Sequence, residues 1–209
     1  MDRVFIDGTF TLAPPLFSQV FLILAKRAEY MFPVMYALLP NKRQETYDRL
    51  FGLIKTIWPL FNPTSISLDF EMAVMNSVRQ AFSRAQLHGC LFHLTKTVLG
   101  KLAPHTLMRC QLSENGLLQR CSAEPQFALH ARTIAALAFV PTDNLDDAFD
   151  ALSNQLANEL TPVLNWLVDN YIGRPGRNNC RSRPALFPPE ILSMYQRTIS
   201  GTDRTNNHA

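Results

Sequence analysis

The sequence predicts an α/β fold in which a mixed five-stranded sheet is flanked by helices and accompanied by an all-helical segment. Three observations carry this prediction. Three short β-rich runs with tight connections open the chain, and helical and strand patterns then alternate over the first hundred residues. From about Gln111 to Tyr171 the pattern is helical throughout. Strands joined by short turns pair antiparallel and strands reached through a helix lie parallel, so the sheet is expected to be mixed.

The first three strands are predicted at Arg3–Phe10, Phe17–Ala25 and Met31–Leu39 as an antiparallel meander. All three runs are rich in the aromatic and aliphatic side chains that strands favour. The third run contains Pro33, which cannot donate a hydrogen bond to a neighbouring strand. The third strand is therefore not expected at the centre of the sheet.

Helices and strands alternate in the next segment. A helix that Asn41 is expected to cap has its apolar residues at a 3.6-residue period and ends before Pro59. Polar and apolar residues then alternate in Ser65–Phe70, which predicts a strand with one buried face. A second helix, Glu71–Phe82, and a short strand near Gln86–Phe92 follow. These two strands are expected to lie parallel to the first because a helix precedes each.

The pattern predicts three parts along the chain. Residues 1–110 are expected to form the α/β core and residues 111–173 a helical insertion. Residues 174–209 are expected to hold an arginine-rich loop, a last helix over Glu190–Ile199 and a tail.

The composition is that of a globular protein. Of 209 residues 47% are apolar and 18% are charged, which allows a full core and argues against disorder. The most apolar stretch is interrupted by Lys26 and Arg27 before it reaches the ~20 residues of a bilayer span. No leader pattern opens the chain. An intracellular protein is expected, in which the four irregularly spaced cysteines are reduced thiols.

Two aspartates stand at predicted strand ends. Asp7 is expected to close the first strand, just before Gly8, and Asp69 lies on the polar face of the fourth. If these strands are neighbours, the two carboxylates meet at one sheet edge, where oxygen ligands suit Mg²⁺ or Mn²⁺. The alternative is that Asp7 is a turn residue and Asp69 a helix N-cap. Glu71 is expected in the first turn of the next helix, where the dipole favours an acid.

A Cys-x-x-His spacing, from Cys90 to His93, lies where the fifth strand meets a helix. A zinc site needs about four ligands. The other cysteine and histidine candidates lack paired spacing; they are Cys110, Cys121, His105 and His130. Zinc is therefore the less favoured interpretation. A buried cysteine and a histidine that fixes local geometry beside the acidic pair are favoured instead.

The segment between Asp169 and Glu190 has no carboxylate and contains four arginines: Arg174, Arg177, Arg181 and Arg183. Guanidinium groups match phosphate oxygens, so this loop is a candidate nucleic-acid contact. A solvated charged loop is the alternative. The net charge of +3 is too small to identify a binder of polyanions by itself. The other basic residues considered are interpreted as ordinary charges on helix surfaces; they are Lys42, Arg43, Lys96 and Lys101.

Nine short runs of the sequence carry a family resemblance when taken together and in order. Six lie in the first half: Asp7–Phe10, Tyr36–Lys42, Glu45–Tyr47, Asn62–Ile66, Asp69–Glu71 and Gly89–His93. Three lie in the second half: Ala136–Pro141, Tyr171–Pro175 and Arg204–Asn207. Spread along essentially the whole chain, they resemble the transposase domain of Mutator-like elements (MULE).

The resemblance implies a ribonuclease-H-like catalytic core interrupted by a helical insertion. It implies that Asp7 and Asp69 are the first two acids of a DDE triad and ligands of Mg²⁺ or Mn²⁺. Such a site cleaves DNA at transposon ends and joins the strands by in-line displacement at the phosphodiester. The implied partner is DNA and the implied location is the nucleus. A homo-oligomer is a further expectation.

The sequence departs from the family at the third acid. In the family a glutamate follows the Arg-Thr-Asn-Asn run, whereas here Arg204–Asn207 is followed by His208 and Ala209. The expectation is a domain of transposase descent that neither cuts nor joins DNA alone. One alternative is a domesticated DNA- or protein-binding module without catalysis. Another is that the sequence is a piece of a longer, active protein.

Overall fold

The computed structural model describes residues 2–28, 30–101, 117–175 and 181–205. They form two compact units. The first contains the described residues up to Cys90 together with Thr205, and the second is Leu91–Arg204. The predicted three-part division, with boundaries after residues 110 and 173, stays a prediction.

The first unit is built on a mixed five-stranded sheet. Its strands are β1 (Arg3–Thr9), β2 (Gln19–Arg27), β3 (Tyr30–Leu39), β4 (Ser65–Leu68) and β5 (Gln86–Gly89). They lie in the order β3-β2-β1-β4-β5. The pairs β1–β2 and β2–β3 are antiparallel, whereas β4 is parallel to both β1 and β5. The predicted fold class, with its meander and parallel strands, is confirmed.

Two predictions for the meander, the end of the first strand at Asp7 and the edge position of the strand with Pro33, had different outcomes. Asp7 does not close the first strand, because β1 continues to Thr9 beside β2 and pairs Asp7 with Leu22. The prediction for Pro33 is confirmed, since β3 is an edge strand. The register of β3 against β2 shifts beside Pro33, where Ile23 faces Met35 and Leu24 faces Pro33. A bulge of this kind accommodates a residue that lacks an N–H.

Among its described residues, the first unit contains two α-helices, each of which buries part of its surface. Helix α1 (Gln44–Ile57) buries Tyr47, Phe51 and Ile54, and α2 (Met72–Ala81) buries four residues of its own. The N-cap of α1 is Arg43 rather than Asn41. Asn41 lies two residues earlier, where its Oδ1 accepts hydrogen bonds from the Arg43 N–H (3.0 Å) and the Thr46 hydroxyl (2.7 Å). The expected capping role is thus replaced by a side-chain turn that leads into the helix.

The described part of the second unit is mainly helical. Its α-helices are α3 (Leu91–Gly100), α4 (Leu117–Ala123), α5 (Pro125–Ala136), α6 (Leu145–Gln155), α7 (Thr161–Leu167), α8 (Pro189–Leu192) and α9 (Tyr195–Ile199). A short ribbon of β6 (Arg174–Pro175) and β7 (Arg181–Arg183) was not predicted, because so few residues carry no alternation. The predicted last helix is divided between α8 and α9 because Ser193 is extended. Among the described residues no helix combines the length and apolarity of a membrane span.

Candidate metal site

The backbone register brings Asp7 and Asp69 to the same place on the sheet. In the parallel pair β1–β4, Phe5 is opposite Ser67, and each aspartate lies two positions further along its chain. Side chains alternate between the faces of a strand, so the two aspartates return to the same face. A carboxylate oxygen of Asp7 lies within 4.8 Å of one of Asp69. The expected adjacency of the first and fourth strands is confirmed.

Local contacts fix the turn that carries Asp69. The Asp69 carbonyl accepts a hydrogen bond from the Glu71 N–H at 2.9 Å. The Phe70 ring occupies the space beside Gly89, where an added Cβ would lie only 2.1 Å from Phe70 Cζ. The turn is therefore held against β5 by a glycine that no other residue can replace without movement of the ring.

Neither structural alternative for the two aspartates is correct. Asp7 lies within β1 rather than in a turn. Its Oδ1 accepts a hydrogen bond from the Gly8 N–H at 2.9 Å. The N-cap of α2 is Glu71 rather than Asp69. Asp7 is thus a strand residue, and Asp69 precedes the N-cap residue of α2 by two positions.

The pair lines a cavity of about 20 Å³, which holds about one water-sized species. Ten residues form its wall: Ile6, Asp7, Gly8, Phe10, Gln19, Phe21, Tyr47, Asp69, Glu71 and Val74. Two carboxylates at a space of this size fit a divalent cation that takes oxygen ligands and keeps water in its other positions. The donor set therefore suits Mg²⁺ or Mn²⁺.

Glu71 differs most from its predicted role. Its backbone is extended, with φ −124° and ψ 115°, and its side chain makes no helix-capping hydrogen bond. Its Oε1 instead accepts a hydrogen bond from the Tyr47 hydroxyl at 2.8 Å, and its Oε2 lies 3.3 Å from Lys42 Nζ. Glu71 is thus the N-cap residue of α2 and not, as expected, a residue of its first turn. A third carboxylate lines the cavity, and two side chains outside α2 orient it.

Tyr47 connects this carboxylate to the sheet. It is 1% exposed, and its hydroxyl oxygen accepts a hydrogen bond from Gln19 Nε2 at 2.8 Å. Burial is the main cause that raises the pKa of Tyr47; the bond from Gln19 lowers it, and the negative charges of Glu71 and Asp69 raise it. The hydroxyl is therefore neutral and able to donate. The sequence already signalled such a partner, since a tyrosine on the buried face of a helix needs one.

Gly8 makes room for Gln19. A Cβ at Gly8 would lie 2.6 Å from Gln19 Oε1, and the Gln19 side chain is 1% exposed. The residue that approaches Gly8 closely is thus a side chain of the neighbouring strand.

The two members of the Cys-x-x-His motif lie in different units. Cys90 is buried, its N–H donates to the Leu68 carbonyl at 3.0 Å, and its Sγ lies 3.4 Å from Thr205 Oγ1. His93 lies in α3 of the second unit, where its ring meets that of Phe92 at 5.2 Å. Of the other zinc candidates, Cys121 lies in α4 and His130 in α5, and two lie outside the described residues: His105 and Cys110.

The four predicted nucleic-acid-binding arginines have different surroundings. Arg174 forms a bidentate pair with Asp169, with Nε–Oδ1 at 2.7 Å and Nη2–Oδ2 at 3.0 Å. These bonds are the main cause that lowers the pKa of Asp169 and raises that of Arg174. Arg183 is 70% exposed, Arg181 begins β7, and Arg177 lies outside the described residues. Binding of nucleic acid by these four residues stays a prediction.

Residues 3–97 match a protein family described as the MULE transposase domain. The matched segment begins with β1 and ends within α3, so it contains both aspartates and the Cys-x-x-His motif. Its mixed five-stranded sheet with flanking helices agrees with a ribonuclease-H-like fold. No curated protein matches the chain. The three runs of the second half that contributed to the resemblance lie outside the match, and their assignment stays a prediction.

Proposed function

We propose that this chain, whose residues 3–97 match the MULE transposase domain, functions in DNA transposition. Asp7 and Asp69 bind a divalent cation, Mg²⁺ or Mn²⁺, and a phosphodiester of DNA binds beside it for the cleavage and strand transfer that the family performs; that the chain alone neither cuts nor joins DNA stays a prediction. The observation that supports this proposal is the pair of carboxylate oxygens within 4.8 Å of each other, on neighbouring parallel strands. Two negative charges at that distance repel each other, and a cation bound between them would offset this repulsion.

The protein's own residues would prepare this site before the substrate arrives. The cation, when bound, stabilises charge on phosphate oxygens and lowers the pKa of an attacking water. Asp7 is held in a strand and Asp69 in a turn fixed by Phe70 on Gly89. Ligands on such rigid elements keep their geometry without a reorganisation cost. The neutral Tyr47 hydroxyl keeps the nearby carboxylate of Glu71 in one orientation.

Cation binding is the first test. We expect the wild-type chain to bind Mn²⁺, as measured by the loss of the free-ion electron paramagnetic resonance signal, and Asp69→Asn to bind it at least tenfold more weakly. Asp150→Asn, an exposed aspartate of α6, is the matched control and should bind like the wild type. Equal binding by wild type and Asp69→Asn would contradict the proposal.

A second candidate function is a DNA-binding module without catalysis. The observation that favours it concerns Glu71, the third carboxylate at the cavity. Its Oε1 is hydrogen-bonded to Tyr47 and its Oε2 is paired with Lys42, so both oxygens already have partners other than a cation. A plasmid-nicking and strand-transfer assay with Mn²⁺ separates the two functions. Turnover that Asp69→Asn abolishes supports the transposase function, and DNA binding without turnover supports the binding module.

Two further roles are proposed, one for His93 of the Cys-x-x-His motif and one for the exposed Arg183. We propose that His93 supports the acidic pair, since only two residues separate it from Cys90, whose N–H is bonded to the end of β4. His93→Ala should then weaken Mn²⁺ binding, whereas His130→Ala should not.

We also propose that Arg183 contacts DNA phosphate, that the site of action is chromosomal DNA in the nucleus, and that the chain acts as a homo-oligomer at transposon ends.

A further inference from the structure

We propose that Lys42 is a substrate-contacting residue of this site, whose ammonium binds a phosphate group of the nucleic acid. The sequence suggested only an ordinary charge on a helix surface. The inference rests on the proposed function, because it takes DNA as the substrate. It adds a residue that lies outside the Asp7–Asp69 pair.

Two contacts place the Lys42 ammonium at the wall of the acidic cavity. Nζ lies 3.3 Å from Glu71 Oε2 and 3.8 Å from the centroid of the Phe10 ring. Both Glu71 and Phe10 line the cavity that contains the two aspartates. The Lys42 side chain is 45% exposed, and an ammonium has three hydrogen atoms to donate. One side of the group is therefore bound to the protein and another faces solvent.

Other hydrogen bonds fix both Glu71, the partner of Lys42, and the backbone next to Lys42. Glu71 is oriented by the Tyr47 hydroxyl, which in turn accepts a bond from the buried Gln19 amide. The backbone beside Lys42 is fixed by Asn41, whose Oδ1 bonds the N–H of Arg43. An exposed ion pair adds little to stability. A chain of four side chains that ends on one exposed ammonium is better explained by a need for positive charge at that point.

The charges of the wall balance only when Lys42 and a divalent cation are both counted. Asp7, Asp69 and Glu71 carry three negative charges, which would repel a phosphate. A divalent cation offsets the two aspartates, and Lys42 offsets Glu71, to which it is paired. The loaded site is then neutral. A phosphodiester can approach it without net repulsion and meet the Lys42 ammonium on its exposed side.

The test measures how DNA affinity depends on salt. A short fluorescein-labelled duplex is titrated with the full chain in a series of salt concentrations with Mn²⁺, and binding is followed by fluorescence anisotropy. Lys42→Met should weaken binding about eightfold at 0.1 M salt and make the slope of log affinity against log salt shallower by about 0.9, the value for one phosphate contact. Lys42→Arg should retain the wild-type slope.

Lys55→Met is the matched control. Lys55 lies in the last turn of α1, and its ammonium is also near an aromatic ring, at 5.1 Å from the centroid of Phe82. Among the described residues, Lys55 has no ion pair or ring contact with a residue of the acidic cavity. The Lys55→Met variant should therefore keep the wild-type DNA affinity and the wild-type salt slope. Both lysines are exposed, so neither variant removes core packing.

Binding of Mn²⁺ without DNA separates the two proposals. If wild type and Asp69→Asn bind Mn²⁺ equally, the proposed function fails. If they differ, but Lys42→Met and Lys55→Met give the same salt slope, the role of Lys42 is overturned while the cation site stands. A wild-type chain that binds Mn²⁺ but no duplex would also overturn it.

Discussion

The Tyr47 hydroxyl links two side chains, those of Gln19 and Glu71, that are far apart in the sequence. It accepts a hydrogen bond from Gln19 and donates one to Glu71, each at 2.8 Å. Gln19 is almost completely buried, so its amide has no water to replace a lost partner. A buried donor without a partner costs about 1–3 kcal/mol. The hydroxyl therefore supports the stability of the first unit as well as the orientation of Glu71.

We predict that Tyr47→Phe lowers the free energy of unfolding by about 1–3 kcal/mol, because it leaves the buried Gln19 amide without its acceptor. The measurement is urea denaturation followed by circular dichroism. Tyr36→Phe, at a tyrosine that is 62% exposed, should change the free energy by less than about 0.5 kcal/mol. An equal effect of the two substitutions would show that the hydroxyl network adds nothing.

At the scale of elements, the site depends on how the turn after β4 packs on β5. The Phe70 ring fills the space that a side chain at Gly89 would need. Asp69 and Glu71 stand on either side of Phe70, so a displaced ring moves both acids. A packing contact made by one glycine thus sets the positions of two carboxylates.

We predict that Gly89→Ala destabilises the protein by about 1–3 kcal/mol through overpacking and also weakens Mn²⁺ binding. Gly52→Ala is the control, since it lies in α1 with nothing within 4 Å of an added Cβ. That control should stabilise the helix by roughly 0.5–1 kcal/mol. Urea denaturation and Mn²⁺ titration of both variants check the prediction. Unchanged Mn²⁺ affinity in a destabilised Gly89→Ala would contradict the link between turn and site.

The Arg174–Asp169 pair makes the stability of the second unit depend on pH. Hydrogen bonding to Arg174 holds the pKa of the Asp169 carboxyl below its ordinary value. Its contribution is thus present above the unfolded pKa of about 4 and is lost as pH falls through the lower folded pKa. Arg174→Met should lower the melting temperature at about pH 6, and the difference from wild type should shrink as the pH falls below about 4. Thermal melts over this range test it; a difference that persists at the acid end would contradict it.

The sequence was most informative where elements have a clear period. The alternation in Ser65–Leu68 and the helical period of α1 predicted both elements, and Pro33 predicted an edge strand. The ribbon β6–β7 was missed because two or three residues show no period. The expectation that Asp7 closes the first strand was wrong, because β1 continues through Gly8, where the Gln19 side chain takes the space of a Cβ.

At the scale of the whole molecule, the site was predicted only in part. Asp7 and Asp69 could be paired because strand order follows from the connections. The network of Gln19, Tyr47 and Glu71 could not, since its members are 28 and 24 residues apart and form no local pattern. The chain carries a net charge of +3, yet three carboxylates line one small cavity. The proposed cation site rests on this local excess of negative charge.

A double-mutant cycle for Mn²⁺ affinity tests most directly whether the two aspartates bind one ion. Isothermal titration calorimetry would compare wild type, Asp7→Asn, Asp69→Asn and the double variant. Residues that act on the same ligand are not additive. We therefore predict that each single substitution weakens binding at least tenfold and that the double loses much less than the sum of the two losses. Wild-type affinity in either single variant would contradict a shared cation site.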